Sequence, residues 1–304
     1  MKPRARVVAG VVTLLAVLAG GACGDGAGET ASPTARPTSA LAPGPTVPPA
    51  TATLAPGTPP TTPAPEPSVP PEPSLPPQTP APQPDVPAAP DLPSRLAGQD
   101  FERIPTTSKV VALTFDAGAN ADAVPSILAT LADENVRATF FLTGDFVQRF
   151  GSASRSIVSA GHRLANHSAT HPEFTSLSAE QMRAQVRGAE QDIRDIAGDD
   201  PRPLFRFPFG DRDARTIDAV NELGYVAVRW TVDTLGWQGT SGGRSAQEVT
   251  ERVLDTATAG QIVLMHVGSH PTDGSMLDAD ALPAVITGLR TAGYRFVTLD
   301  ALLN

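Results

Sequence analysis

A chain of 304 residues with 32 prolines, one cysteine and a formal charge of −9 is excluded from several classes at once. A single cysteine closes no disulfide within the chain, and an acidic balance argues against a nucleic-acid binder, which needs a basic face. Proline stands far above the usual ~5%, and 23 of the 32 prolines fall between Ala31 and Arg95. The chain therefore divides into a proline-rich segment and an ordinary globular remainder.

The first thirty residues read as an export signal. Lys2, Arg4 and Arg6 form a positive start, and Val7 to Leu18 is an uncharged apolar run of twelve residues, shorter than the ~20 helical residues that span a bilayer. Ala19-Gly20-Gly21-Ala22 then leads to Cys23. The arrangement resembles a bacterial lipoprotein signal over residues 1–23, in which the cysteine becomes the lipidated N-terminus. Gly20 stands where that pattern has Leu, and a soluble secreted protein cut near Ala22 is the other reading. Both readings imply an extracytoplasmic protein, held at the cell membrane by its lipid in the first.

Residues 24–95 are built from Pro, Ala, Thr, Ser and Gly, with too few aliphatic side chains to offset the entropy of ordering. A disordered, locally extended linker is expected, with a reach on the order of 200 Å at ~3.1 Å per residue. From residue 96 to 304 the composition is that of a domain, with 18 basic and 26 acidic residues, long enough for one sizeable core.

Within that domain the apolar period alternates between strand and helix. Strands are predicted at Val110 to Phe115, Ala138 to Thr143, His162 to His167, Leu204 to Phe207, Tyr225 to Trp230, Gln261 to His266 and Tyr294 to Leu299. Helices are predicted at Ala121 to Glu134, Ser154 to Ala160, Ser178 to Ala197, Ala214 to Leu223, Ser245 to Ala259 and Asp278 to Ala292. Ser178 with Gln181, and Ser245 with Glu248, have capping-box spacing. Gly161, Gly224, Gly260 and Gly293 each stand between a helix and a strand, where a left-handed cap is expected. The alternation implies an α/β fold with a parallel sheet, either a β/α barrel or a doubly wound sheet. No glycine-rich phosphate loop follows the first strand, which weighs against nucleotide binding.

Polar residues recur at the C-terminal ends of these strands: Asp116, His167 with His171, Arg206, Asp233 and His266. In a β/α barrel those ends converge on one face. His167 and His171, four apart, have a zinc-like spacing. Arg206, in the apolar run Leu204 to Phe209, needs an anionic partner. Taken singly, Asp116 and Asp233 could cap turns and His266 could be a core histidine; six such residues on one face argue for chemistry instead.

The segments Thr114-Phe115-Asp116-Ala117-Gly118, His167-Ser168-Ala169-Thr170-His171, Arg206-Phe207-Pro208-Phe209-Gly210, Asp233-Thr234-Leu235-Gly236-Trp237 and Leu264-Met265-His266 resemble, in order, the five motifs of the polysaccharide deacetylase family. This is the NodB homology domain of carbohydrate esterase family 4. The resemblance covers about residues 105–303 and implies a distorted barrel of seven or eight β/α units. It also implies hydrolytic removal of acetyl groups from an N-acetylated polysaccharide, peptidoglycan being the favoured substrate. On that resemblance Asp116 is the general base and Arg206 holds it ionised. His266 is the general acid and Asp233 orients it. His167 and His171 bind a divalent metal, zinc by preference, Phe209 contributes an oxyanion N–H, and Trp237 and Leu264 wall the acetyl pocket.

One position departs from the family pattern. The first motif usually continues with a second aspartate that completes the metal triad, and here it is Ala117, whose methyl group ligates nothing. Asn120 or Asp122 is the expected substitute, with Asp116 itself or a reaction with less metal help as further possibilities. Two competing readings follow: an inactive, wall-glycan-binding module on the same fold, and a glycosidase using Asp116 and Asp233 as a carboxylate pair. Of the remaining residues, His162 is expected to be structural and Trp230 to fill the core; the Gly236 to Arg244 loop is a candidate for contacting sugar, and His270 is either a loop residue without a role or a lining residue of the cleft.

Overall fold

The computed structural model describes residues 92–304. The expected signal segment, the lipidation site Cys23 and the linker as far as residue 91 lie outside the described residues. Packing begins four residues ahead of the expected domain boundary: Leu92 rests against the core and Leu96 is buried.

Nine strands and seven helices follow in chain order: β1 (Asp100–Phe101), β2 (Val110–Ala117), α1 (Val124–Asp133), β3 (Thr139–Leu142), α2 (Gly144–Arg149), α3 (Gly151–Ser159), β4 (Arg163–Asn166), α4 (Ala179–Asp192), β5 (Leu204–Phe205), α5 (Ala214–Asn221), β6 (Val226–Val228), β7 (Val232–Asp233), α6 (Ala246–Asp255), β8 (Gln261–His266), α7 (Leu277–Thr291) and β9 (Arg295–Phe296). The strands form one sheet in the order β1-β6-β5-β4-β3-β2-β8-β7, with β9 on β2. Every ladder between these strands is parallel. The sheet curls with helices outside it, and its two end strands do not pair, so of the barrel and the doubly wound sheet that the alternation left open this is the barrel, distorted and incompletely closed as the family resemblance implied.

β2 is the centre of that sheet, and all eight of its residues are buried. Val111 pairs with Gln261 of β8 and also with Phe296 of β9; Thr114 pairs with Leu264 of β8 and also with Thr139 of β3. One edge of β2 therefore belongs to β8 and the other to β9 and β3 in turn. A strand covered on both faces and both edges must be apolar almost throughout. Against that background Asp116, near its C-terminal end, is conspicuous.

The predicted punctuation is present. Ser178 and Gln181 form a reciprocal capping box on α4, and Ser245 accepts from the Glu248 N–H at the start of α6. Gly161, Gly224, Gly260 and Gly293 all have φ between 74° and 85°. At Gly260 a side chain is excluded twice, because a Cβ would also lie 2.0 Å from the Ile104 carbonyl oxygen.

The differences have local causes. β1 and β7 contain two residues each, too few to show a period of two. α2, with six residues, is capped by Thr143, whose Oγ1 accepts from the Phe146 N–H. The helix expected to run from Ser178 to Ala197 changes at Ile193 into a wider π turn, which ends at left-handed Gly198. The strand expected over Leu204 to Phe207 keeps only two residues, because Pro208 opens a 3-10 turn and cannot donate to a ladder.

Candidate active site

Strand register places the central pair. Asp116 on β2 is the direct neighbour of His266 on β8, so their side chains emerge side by side on one face of adjacent parallel strands. Phe205 on β5 pairs with Asn166 on β4. The residues that follow, Arg206 and His167, therefore emerge together at the same end of the sheet.

Arg206 is fully buried. Its Nη1 lies 2.7 Å from Asp116 Oδ1, while Nε and Nη2 donate to the carbonyls of Val228 and Arg229. Its guanidinium carbon lies 4.0 Å from the centre of the Phe141 ring. The anion required by its apolar setting is Asp116. Burial by itself would raise the Asp116 pKa, but the charges of Arg206, His167 and His266 outweigh it, and the carboxyl is held below its ordinary 3.8.

His167 Nδ1 faces the Arg206 carbonyl oxygen at 2.8 Å. A carbonyl only accepts, so Nδ1 carries the proton and Nε2, 3.4 Å from Asp116 Oδ2, presents its lone pair to the site. Desolvation pushes the His167 pKa down against the pull of Asp116. Burial and the neighbouring His167 push His171 down to about 4. Both imidazoles are neutral at pH 7. Asn166 supports this segment: its Oδ1 accepts from the Ser168 N–H, and Ser168 Oγ accepts from the His171 N–H.

His266 is the opposite case. Its Nδ1 is buried, yet 29% of the side chain is exposed, and the ring borders the cleft. The carboxylate beside Nδ1 belongs to Asp278 of α7, at 3.5 Å. This corrects the expectation for Asp233: among the described residues, Asp278 is the only carboxylate within 4 Å of the His266 ring. Asp233 accepts instead from the Leu235 N–H at 2.9 Å and the Trp237 indole at 3.4 Å. It lies on β7 beside Leu264 and acts on His266 only through its charge. Burial lowers the His266 pKa, but Asp278, with Asp116 and Asp233 adding, more than compensates, and the net shift is above 6.5.

These groups open into a cavity of about 530 Å³, lined by Asp116, His167, His171, Asp233, Leu264 and His266 on its floor and by Phe209 and Trp237 at its rim. Phe209 and Trp237, 67% and 51% exposed, are the exposed large hydrophobics among the described residues. Their shared position suits stacking against sugar rings. The backbone is strained in the same place. Among the described residues five non-glycine residues have positive φ, and four of them, Ser168, His171, Phe209 and Leu235, lie in the motif segments, where strain of order 1–3 kcal/mol each persists only if the surroundings impose it.

The metal expectation meets a different arrangement. Ala117 is buried at the end of β2 and pairs with Leu142. Asn120 is occupied by Ser269: its Nδ2 donates to that residue's carbonyl and its Oδ1 accepts from its N–H. Asp122 Oδ2 accepts from the Ser269 hydroxyl. Both residues pin the loop after β8 and neither lines the main cavity, so neither replaces the missing carboxylate. Among the described residues no three His, Cys, Asp or Glu side chains are grouped to hold a metal ion. Two imidazoles fall short of the three protein ligands of a catalytic zinc site.

The other predicted residues also have places. His162 is structural: its Nδ1 accepts from the Ala138 N–H, and burial pushes its pKa down to about 4. Trp230 is partly buried and lines the cleft, Gln238 accepts from Arg244, and His270 lies 3.3 Å from Asp273. Sequence reasoning missed Asp278, which reads there as an ordinary acidic residue in the first turn of a helix.

Residues 103–228 match the model of the family described as polysaccharide deacetylase. The chain is 34% identical over 200 residues to a peptidoglycan-N-acetylglucosamine deacetylase of Bacillus cereus, covering 66% of this chain and 70% of that protein. The chain belongs to the polysaccharide deacetylase family. A peptidoglycan-N-acetylmuramic acid deacetylase of Bacillus subtilis is 29% identical over 198 residues, covering 65% of this chain and 73% of that protein. Among solved structures, that of the Bc1960 peptidoglycan N-acetylglucosamine deacetylase matches with a TM-score of 0.61 and 33% identity, covering 67% of this chain and 91% of the other. The family's enzymes are hydrolases of acetylated polysaccharide, and Asp116, His167, His171, Phe209, Asp233, Trp237, Leu264 and His266 of the cleft lie in the five segments that carried the resemblance.

Proposed function

We propose that this deacetylase removes N-acetyl groups from peptidoglycan by general acid and base attack of water, at N-acetylglucosamine or N-acetylmuramic acid. The observation that carries the reading is the register pairing of Asp116 with His266, a carboxylate kept ionised by Arg206 beside an imidazole whose neighbouring carboxylates favour its charged form. Two titratable groups whose surroundings push their pKa values apart divide the roles of base and acid.

Asp116 takes a proton from water as the water oxygen bonds to the acetyl carbon. The tetrahedral intermediate collapses as His266 gives a proton to the sugar nitrogen and the carbon–nitrogen bond breaks, leaving acetate and an amine. Leu264, 3% exposed, supplies an apolar wall for the acetyl methyl, and the exposed rings of Phe209 and Trp237 face the glycan. The proline-rich segment and Cys23 support an extracytoplasmic enzyme tethered to the membrane with reach into the wall.

The test is acetate release from peptidoglycan by the purified full chain, compared with Asp116→Asn. Release by the wild type and none by the variant is expected. Equal release by both would refute the assignment, and reducing ends in place of acetate would favour the glycosidase reading.

A further inference from the structure

We propose that Asp278, in the first turn of α7, is the positioning residue of His266, and that it occupies the space a side chain at position 236 would need. The inference rests on the acid role assigned to His266 above. Asp278 is 4% exposed and is the one charged group among the eight buried residues of α7. A carboxylate on the buried face of a helix requires compensation, and three groups supply it. Thr234 Oγ1 donates to Oδ1 at 2.6 Å, the His266 N–H donates to Oδ2 at 2.9 Å, and His266 Nδ1 stands 3.5 Å from that same oxygen. His266 Nδ1 makes no hydrogen bond at that separation, and Asp278 is the one carboxylate within 4 Å of it among the described residues.

Gly236 shows how closely the carboxylate is fitted. A Cβ built there would lie 2.4 Å from Asp278 Oδ1, 2.7 Å from Cγ and 3.0 Å from Oδ2. Gly236 is not among the residues with positive φ, so its backbone would accept a side chain, and the three atoms nearest to one all belong to the Asp278 carboxyl group. The segment Asp233 to Trp237 therefore leaves an opening in its wall at Gly236, and α7 fills it with an acid from 42 residues further along the chain. A small cavity of about 140 Å³ joins the same groups, lined by Asp116, Gly236, His266 and Asp278 among others.

This geometry fixes which proton moves. Nδ1, buried against Asp278, keeps its proton throughout, and the proton given to the leaving amine is the one on the opposite nitrogen, Nε2. The charged groups acting on His266 are Asp278 from α7, Asp116 from β2 and Asp233 from β7, with His167 and His171 interacting across the cleft. Of these only Asp278 touches the ring.

The test compares Asp278→Asn, Gly236→Ala and the double variant Asp278→Ala with Gly236→Asp in the full chain, each checked for folding by circular dichroism. Asp278→Asn keeps the size of the side chain and removes its charge. Its kcat is expected to fall roughly 10²-fold, the lower end of what a general acid supplies, with KM within about twofold by the same reasoning. The basic limb of its pH profile should move to lower pH. Gly236→Ala changes no charge and should lower kcat by displacing the carboxylate. The double variant, which returns an acid to the same space from the other side, should recover at least about tenfold of the activity lost in Asp278→Ala.

Wild-type kcat and an unmoved basic limb in folded Asp278→Asn would overturn the proposal, as would a double variant no better than Asp278→Ala. NMR titration of the His266 ring separates this inference from the reading of function. A ring pKa above 6.5 in the wild type that falls in Asp278→Asn supports the positioning role even if no substrate is turned over, and a ring pKa below 6.5 in the wild type rejects it even if Asp278→Asn fails to fold.

Discussion

Replacing Arg206 with Met should destabilise the protein by about 3–5 kcal/mol at pH 7, the usual consequence of leaving one member of a buried ion pair uncompensated. The structure supports the size. The pair is 2.7 Å apart with side chains 0% and 9% exposed, and two charges at about 4 Å in a medium of effective dielectric constant near 20 attract by about 4 kcal/mol. The sign of the pH dependence is a sharper test than the size. In the wild type the folded pKa of Asp116 lies below 3.8, so the pair contributes stability that is present above the unfolded pKa and lost as pH falls through the folded value. In Arg206→Met the largest of the charges that oppose burial is gone, leaving only His167 and His266 against it, and the folded pKa of Asp116 rises, so the ionised carboxylate destabilises the variant near neutrality and ceases to do so once protonated. The gap between variant and wild type should therefore narrow from pH 7 to pH 4 in urea denaturation followed by circular dichroism. A loss under about 1 kcal/mol at pH 7, the scale of an exposed pair, or a gap that widens on acidification, would refute the reasoning.

Other outcomes follow from the same geometry. Activity should hold a plateau, with an acid limb below pH 3.8 as Asp116 protonates and a basic limb above 6.5 as His266 loses its proton; a limb that rises through neutrality in a profile of kcat/KM would contradict the assignment. His266→Ala should lower kcat by about 10²–10⁴-fold while the denaturation midpoint stays near that of the wild type, and near-normal turnover would remove it from the acid role. Phe209→Ala and Trp237→Ala, at exposed rim positions, should raise KM for glycan with stability within about 0.5 kcal/mol; an unchanged KM in both would show that the rim rings do not meet the sugar. Equilibrium dialysis against micromolar zinc should leave well under one ion per chain, since His167 and His171 lack a third protein ligand, and stoichiometric retention would reveal a ligand that the geometry does not provide.

The parts legible in sequence were those with local signatures. β8 was expected over Gln261 to His266 and is found there, because five buried residues in succession, bounded by Gly260, leave little freedom of assignment. The alternation of elements is enough to bring Asp116, His167, Arg206 and His266 to one end of the sheet, since each stands at or just past the C-terminus of a parallel strand. The partner of Arg206 could be anticipated as an anion from the apolar run around it. Asp278 could not. It lies in an amphipathic helix whose first turn favours acids anyway, and only the packing of α7 beside β8 reveals that this acid points inward. Asn120 and Asp122 failed as substitutes for Ala117 for a related reason: loop residues near a site in sequence were already committed to the backbone and hydroxyl of Ser269, a contact 147–149 residues away in the chain.

Acetate release from purified peptidoglycan, followed by mass spectrometry of the digested glycan, tests the central claim most directly when wild type and Asp116→Asn are run side by side. The account predicts acetate from the wild type, a matching loss of acetyl mass on glucosamine or muramic acid residues, and neither from a folded Asp116→Asn. Intact acetylation after incubation with the folded wild type would contradict it and leave a glycan-binding module on a deacetylase fold.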